Sequence, residues 1–369
     1  MDMTVNRAEM LAAAKRAVNI APVDSPIKEL EGVLLEADAT ANALVISATN
    51  MEVSLKQKLR CEVKEEDAIV INARLLTEML GKLAGELVRL RRKIGRSVLF
   101  VESESAAFTV PVRERTAFPR IEIPFMDDSV QVQGIPSLAK RTVFAVSDEQ
   151  SKPLLRCVNL MFTKDGLRTA GSNGNCIVTA KGDDKSVGSV SLLLPAGSLD
   201  KLARMCTDED LFRVGTNGKS VVFVKENFLF TARLMEGKYI DTERLIRSLS
   251  NQFMVWTDMM DLRKALSSVT AIEQNGKVMI RFEGQKMKLC CNGKQGAASV
   301  SMDVVILTGR PDGEFWFHAG QLNDCLARLV GSVKLGIAQG GMLTLSTDDA
   351  FYMQNAVRAP SETTGKKAA

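Results

Sequence analysis

Three stretches of this 369-residue chain repeat one another: INARLLTEMLGKLAG, LPAGSLDKLARMC and FHAGQLNDCLARLVG. Each carries Ala-x-x-Leu after an apolar run, at Ala73/Leu76, Ala196/Leu199 and Ala319/Leu322, and both gaps are 123 residues. A second set, MLAAAKRAV, PSLAKRTVFAV and MDLRKALSSV, aligns its apolar stripes on Ala14, Leu138 and Leu262, with both gaps 124 residues. Two independent helices recurring at one period predict three copies of a unit of about 120 residues with two helices in each. The boundaries this implies are 1–125, 126–248 and 249–360, followed by a polar tail at 361–369.

Between the helices the pattern is one of short strands. Runs such as 43–48 (ALVISA), 98–102 (VLFVE), 158–162 (VNLMF), 190–194 (VSLLL), 221–224 (VVFV), 278–283 (VMIRFE) and 342–346 (MLTLS) read as strands. Asp-Gly at 165–166 and Asn-Gly at 217–218, 275–276 and 292–293 predict antiparallel hairpins. No regular strand–helix alternation runs along the chain, which argues against a doubly wound parallel sheet. The expected class is α+β, with two helices per repeat backed by antiparallel sheets.

Composition narrows the chemistry. No window approaches 18 uninterrupted apolar residues, so no membrane span is expected, and MDMTVNRAEM lacks the apolar core of a secretory signal. The seven cysteines, at 61, 157, 176, 206, 290, 291 and 325, form no Cys-x-x-Cys pair and lie mostly in apolar runs. They read as buried free thiols of a reducing cytoplasm, with Cys290 and Cys291 facing opposite sides of a strand. His318 is the single histidine, so no histidine-rich metal site is expected and no cofactor is implied. A net charge of +4 excludes a whole-molecule basic field but leaves room for a local basic surface.

Such a surface is written on the helices. Arg16, Lys140 and Lys264 each lie two residues past the stripe centre, about 200° around the helix from the core-facing side. In the other set Arg74, Lys201 and Arg204 fall outward, with Lys82 and Arg328 on the flank; Glu78 and Asp324 break the pattern. Helices commonly put charge toward water. Recurrence at the repeat period points further, to a periodic polyanion whose phosphates need point charges and no sequence-reading groups. Few aromatics accompany these helices, which disfavours a single-strand stacking groove and favours duplex backbone. The densest basic run, RLRRKIGRS at 89–97, alternates like a hairpin and is expected on a solvated outer edge.

The stretch TAGSNGNCIV (169–178) offers Ala-x-Ser-x-Gly, the loose form of a hydrolase nucleophile elbow. An elbow needs a helix after the serine, whereas CIVTAKG alternates like another strand. Ser172 would also have to recruit His318 as its base. A phosphate loop lacks the required lysine.

Taken in order, PIKELEGVLLEA (26–37), ISATNMEVSL (46–55), AFPRIEIP (117–124), KPLLRCVNLMF (152–162), GLRTAGSNG (166–174) and LMEGKYIDTERLI (234–246) resemble the bacterial DNA polymerase III beta subunit, the replicative sliding clamp. The resemblance runs from about residue 4 to Arg358. It implies three clamp-type domains and a head-to-tail homodimer closing into a ring, with helices lining the hole and sheets outside. The implied function is non-catalytic: the ring encircles duplex DNA and holds a polymerase at high effective concentration near the primer end. Implied partners are double-stranded DNA, the polymerase, a clamp loader and other groove-binding proteins, in the cytoplasm.

The resemblance also implies a peptide groove. Carried over by position, it comprises Leu155, Ser172, Gly174, Asn175, Cys176, Ile177, Ile240, Arg244, Leu245 and Val278, with His318, Gln321, Val357 and Arg358 from the third repeat. The chain departs from the family where Asn173, Asn175 and Cys176 replace an Asp-x-His-Arg-like run. It departs again where Ile240 replaces a proline, and where Thr242 and Gln321 replace aromatics. At the implied dimer interface, Phe108 would meet the partner's counterpart of Ile272, and Glu273 sets a charge where the family favours an apolar residue. A dedicated protein-binding module of the same fold, acting away from the fork, is the second reading; serine hydrolysis through Ser172 and His318 is the third.

Overall fold

The computed structural model describes residues 1–93, 95–104, 106–123, 129–182, 190–293 and 296–359. The expected boundary at 125/126 and the tail at 361–369 lie outside them, as does Ile94 of the basic run. The described residues hold helices α1 (Arg7–Val18), α2 (Ala73–Lys82), α3 (Ile135–Thr142), α4 (Ala196–Ala203), α5 (Thr242–Ser248), α6 (Met259–Thr270) and α7 (Ala319–Leu326). Strand pairing is antiparallel in every ladder they contain, and the fold class is α+β.

The helices start where their caps dictate. Asn6 and Asn72 accept from the backbone N–H groups of Glu9, and of Arg74 and Leu75, while Asp258 does the same for Met260 and Asp261. The three Ala-x-x-Leu helices α2, α4 and α7 begin at Ala73, Ala196 and Ala319. Leu76, Leu199 and Leu322 are buried, as are Ala14, Leu138 and Leu262 of the other set. Both apolar stripes face the core as their period requires. The helix α5, at the end of the second repeat, is an addition that the repeat pattern does not contain.

The chain forms two compact units: Met1–Ile135 with Lys201–Leu234, and Pro136–Asp200 with Met235–Ala369. This division cuts through the middle repeat. In the first unit the second repeat's strand Phe228–Arg233 pairs with Val53–Glu65 of the first, Phe230 opposite Leu55, so one sheet runs through both repeats. In the second unit strand Cys176–Lys181 pairs with Ala350–Gln354 of the third repeat, Ile177 opposite Met353. Helices α1 and α2 pack together in the first unit; Arg7 locks them by donating to the carbonyls of Gly85 (2.8 Å) and Leu80 (3.4 Å) at the far end of α2. Helices α6 and α7 pack together in the second, over a core where Phe253 meets Phe282 edge-on at 4.9 Å.

The turn signals hold at 165–166, where Thr163 faces Gly166, at 217–218, where Gly218 has φ +83°, and at 292–293, where Gly293 pairs with Gly296. Asn275-Gly276 is different. It joins α6 to strand Lys277–Glu283, which pairs with strands on both sides, so a local Asn-Gly signal marks a helix exit here. Cys290 is half-buried and Cys291 buried, on opposite faces of their strand. The basic run forms the expected hairpin, Arg89 opposite Glu102. Three of its arginines meet acids: Arg89 meets Asp2 (2.7 Å), Arg91 meets Glu102, and the buried Arg92 meets Asp67 (3.1 Å) and Glu114.

Candidate functional site

Strands Gly166–Ser172 and Cys176–Lys181 are joined by a loop whose side chains serve its own backbone. The Ser172 hydroxyl donates to the Cys176 carbonyl (2.8 Å) and accepts the Gly174 N–H (3.1 Å). Asn173 Oδ1 accepts from the N–H groups of Asn175 and Cys176, both at 2.9 Å. Gly174, at φ +92°, supplies the left-handed residue the loop needs. Asn355 N–H donates to the Asn175 carbonyl (2.9 Å), tying the loop to the end of strand Ala350–Gln354. Ser172 is 0% exposed, is followed by a strand, and has its hydroxyl committed at both ends; the nucleophile reading has no geometric support.

Beside this loop lies a cleft of about 440 Å3 lined by Ser172, Gly174, Asn175, Ile177, Ile240 and Leu245, six of the carried-over groove residues. Ser248, Leu249, Ser250, Gln339, Met342, Met353 and Asn355 complete it. Sequence reasoning missed these seven. Met353 enters because it stands opposite Ile177 in the ladder, and Ser248 and Leu249 because α5, capped by Asp241 on the Arg244 N–H (3.0 Å), lies along the rim.

The remaining groove candidates fall in different places. Leu155 lies close to Gly174, within 3.8 Å of where a Cβ would stand. Cys176 (1% exposed) and Val278 (0%) are corrections: strand alternation turns both side chains into the core, so neither is a wall. Burial pushes the Cys176 thiol up to about 11. Arg244 is exposed beside the cleft without lining it. His318 and Gln321 sit over a buried amide, Gln354, whose Nε2 donates to the His318 carbonyl (3.1 Å) and to Gln321 Oε1 (3.4 Å). Val357 N–H donates to the Trp316 carbonyl and Lys277 Nζ to the Arg358 carbonyl, so the segment after Gln354 is held along strand Asp312–His318.

The helix cations are also placed. Arg16, Arg74, Lys82, Lys140, Arg204 and Lys264 are exposed and Lys201 half-exposed; Lys15 and Arg263, each next to one of them, are exposed too. Arg16 touches Gln57 Oε1 (3.2 Å). Arg328 is the most restrained: its guanidinium pairs with Asp324 (2.9 Å) and stacks over Phe144 at 4.8 Å. At the expected interface, Phe108 is half-buried on the edge strand Ala106–Pro111, Ile272 is half-buried, and Glu273 is exposed. Among the described residues no cluster of three or more His, Cys, Asp or Glu side chains could hold a metal, and no helix is long and apolar enough to cross a membrane.

Residues 1–122 match the family model described as DNA polymerase III beta subunit, N-terminal domain, and residues 129–241 match its central domain. The chain is 24% identical over 314 residues to the beta sliding clamp of Chlamydia pneumoniae, covering 82% of this chain and 84% of that protein. Among solved structures it is similar to a putative DNA polymerase III beta subunit from Eubacterium rectale (TM-score 0.90, 18% identity, 97% of this chain and 100% of that one). It is similar also to a Pseudomonas aeruginosa sliding clamp bound to griselimycin (TM-score 0.88, 20% identity, 97% of this chain and 100% of that one).

Proposed function

The chain belongs to the DNA polymerase III beta subunit family, and we infer from that membership that it is a DNA sliding clamp, a non-catalytic subunit that gives a polymerase its processivity. The observation that carries the reading is the pair of family matches over the first two repeats, joined to a third repeat whose helices recur at the same period. The mechanism is topological. A ring around duplex DNA cannot leave sideways, so a polymerase docked on it stays at high effective concentration near the primer end. Cations on flexible side chains at the helix surfaces suit a track that must not grip, because phosphate contacts position without specifying.

In this reading Arg16, Arg74, Lys82, Lys140, Lys201, Arg204, Lys264 and Arg328 face the DNA. The cleft beside Ser172 takes an apolar partner segment of the polymerase, the loader or another client. Ring closure is by a second copy, head to tail, with Phe108 of one protomer near Ile272 and Glu273 of the other, and the clamp works in the cytoplasm. The three repeat boundaries belong to the same reading. A cleft with apolar walls, a small-residue floor and a few fixed polar groups is what peptide docking requires.

The test is retention on circular DNA. Reversing charge at Arg16, Lys140 and Lys264 together is expected to shorten the lifetime of loaded clamps and flatten its salt dependence by about three phosphate contacts. Unchanged lifetime would remove these residues from the DNA path.

A further inference from the structure

A second cleft lies on the other side of α5. Its volume is about 350 Å3, and its lining includes Arg168, Lys181, Thr242, Ile246, Arg247 and Phe351. The two clefts share one sheet face. Ser172, Ile177 and Met353 stand in register across three strands and line the first; two residues along, Thr179 and Phe351 pair and line the second; two further, Arg168 and Lys181 do the same. Residues two apart on a strand point the same way, at steps of about 7 Å. The ridge between the clefts is α5: Leu245 and Ser248 face the first, and Thr242, Glu243, Ile246 and Arg247 the second.

Two polar atoms in the second cleft have no partner among the described residues. Thr242 is 1% exposed and its hydroxyl is unpaired. Arg168 gives Nη1 to Glu243 (2.6 Å), but its buried Nε–H is unpaired. A buried donor left unmade is costly, so such atoms mark a place where a ligand gains by pairing. Formal charges around the cleft cancel: Arg168, Lys181 and Arg247 against Glu243, Asp348 and Asp349. Glu243 is already shared between Arg168 and Arg247 (2.9 Å). An uncharged guest is therefore favoured over an ion. Met161, Ile246 and Phe351 provide apolar wall for a ring.

We propose that this cleft is a docking pocket for a tyrosine side chain of the partner whose apolar segment occupies the first cleft. The proposal rests on the groove reading given above. A phenol meets both requirements at once: its ring covers the apolar wall, and its hydroxyl accepts from Arg168 Nε and donates to Thr242 Oγ1. Continuity of sheet face and helix lets one chain crossing α5 reach both clefts.

The test titrates the isotopically labelled full chain with N-acetyl-tyrosinamide and, separately, N-acetyl-phenylalaninamide, followed by NMR. The tyrosine probe is expected to shift Thr242, Arg168 and Phe351 saturably and to bind about ten- to hundredfold tighter than the phenylalanine probe, the range two buried hydrogen bonds set. Thr242→Val keeps the shape, removes one of the two partners, and is expected to cut the tyrosine preference about five- to tenfold while the Arg168 bond keeps the rest. Equal binding of both probes to the unaltered chain, shifts confined to other surfaces, or a preference that Thr242→Val leaves unchanged each overturn the pocket. Binding of the polymerase's C-terminal peptide to a Leu245→Asp chain reports on the first cleft separately. If that substitution leaves peptide affinity unchanged, the groove reading falls whatever the probes do; if only the probe preference fails, the groove stands and the pocket falls.

Discussion

The residue that most restricts substitution near the groove is Gly171. A Cβ there would stand 2.6 Å from the carbonyl oxygen of Thr142 at the end of α3, a backbone atom that cannot turn aside. Gly171→Ala is expected to cost about 1–3 kcal/mol, read as a lower denaturation midpoint; an unchanged midpoint would mean the α3 end yields freely. Ser172 next to it acts on shape. Ser172→Ala removes the tie between the Cys176 carbonyl and the Gly174 N–H, at a cost of about 1–3 kcal/mol. The same variant is expected to weaken the polymerase peptide severalfold by fluorescence anisotropy, and full affinity would detach the loop from the groove. Asn175 remains the exposed departure from the family in this loop, while Cys176 has moved inside.

At the scale of elements, what matters is which charges are already committed. The basic hairpin at 89–97 looks like a polyanion site in one dimension, yet Arg89, Arg91 and Arg92 each meet a carboxylate. The Arg89 hydrogen bond, opposed by burial, holds the Asp2 carboxyl below its usual range. Because its folded-state pKa is depressed, the pair's stabilisation is present above the ordinary value of about 3.9 and lost as pH falls through the lower one. The stability difference between the unaltered chain and Asp2→Asn should therefore be present at pH 7 and vanish in acid, as chemical denaturation at a series of pH values would show. A difference constant down to pH 2 would contradict the pairing. The helix cations contrast with this hairpin: Arg16, Lys140 and Lys264 are exposed at positions set by the repeat, which is why we propose them as the DNA-facing set.

For the whole molecule, the proposed ring predicts a native mass close to twice 40.3 kDa. Glu273 is the residue to alter. It is exposed beside the half-buried Ile272, and its side chain lies over Gly276 and Gly293. Desolvating a carboxylate at an interface opposes association, so Glu273→Leu is expected to lower the concentration at which dimers dissociate in analytical ultracentrifugation. A monomer unaffected by that change would count against the interface.

The sequence by itself determined the period, the helices that begin at Ala73, Ala196 and Ala319, the antiparallel class and the Ser172 loop as a turn between strands. All of these follow from local rules: apolar spacing, caps and turn residues act within a few positions of the chain. Only the tertiary structure decided that the middle repeat divides its strands between two sheets, that Met353 faces Ile177 across 176 residues of sequence, and that Val278 and Cys176 turn inward. It also decided that α5 stands as a ridge between two clefts. Strand register between distant segments is set by which faces bury together, and no local pattern carries that information.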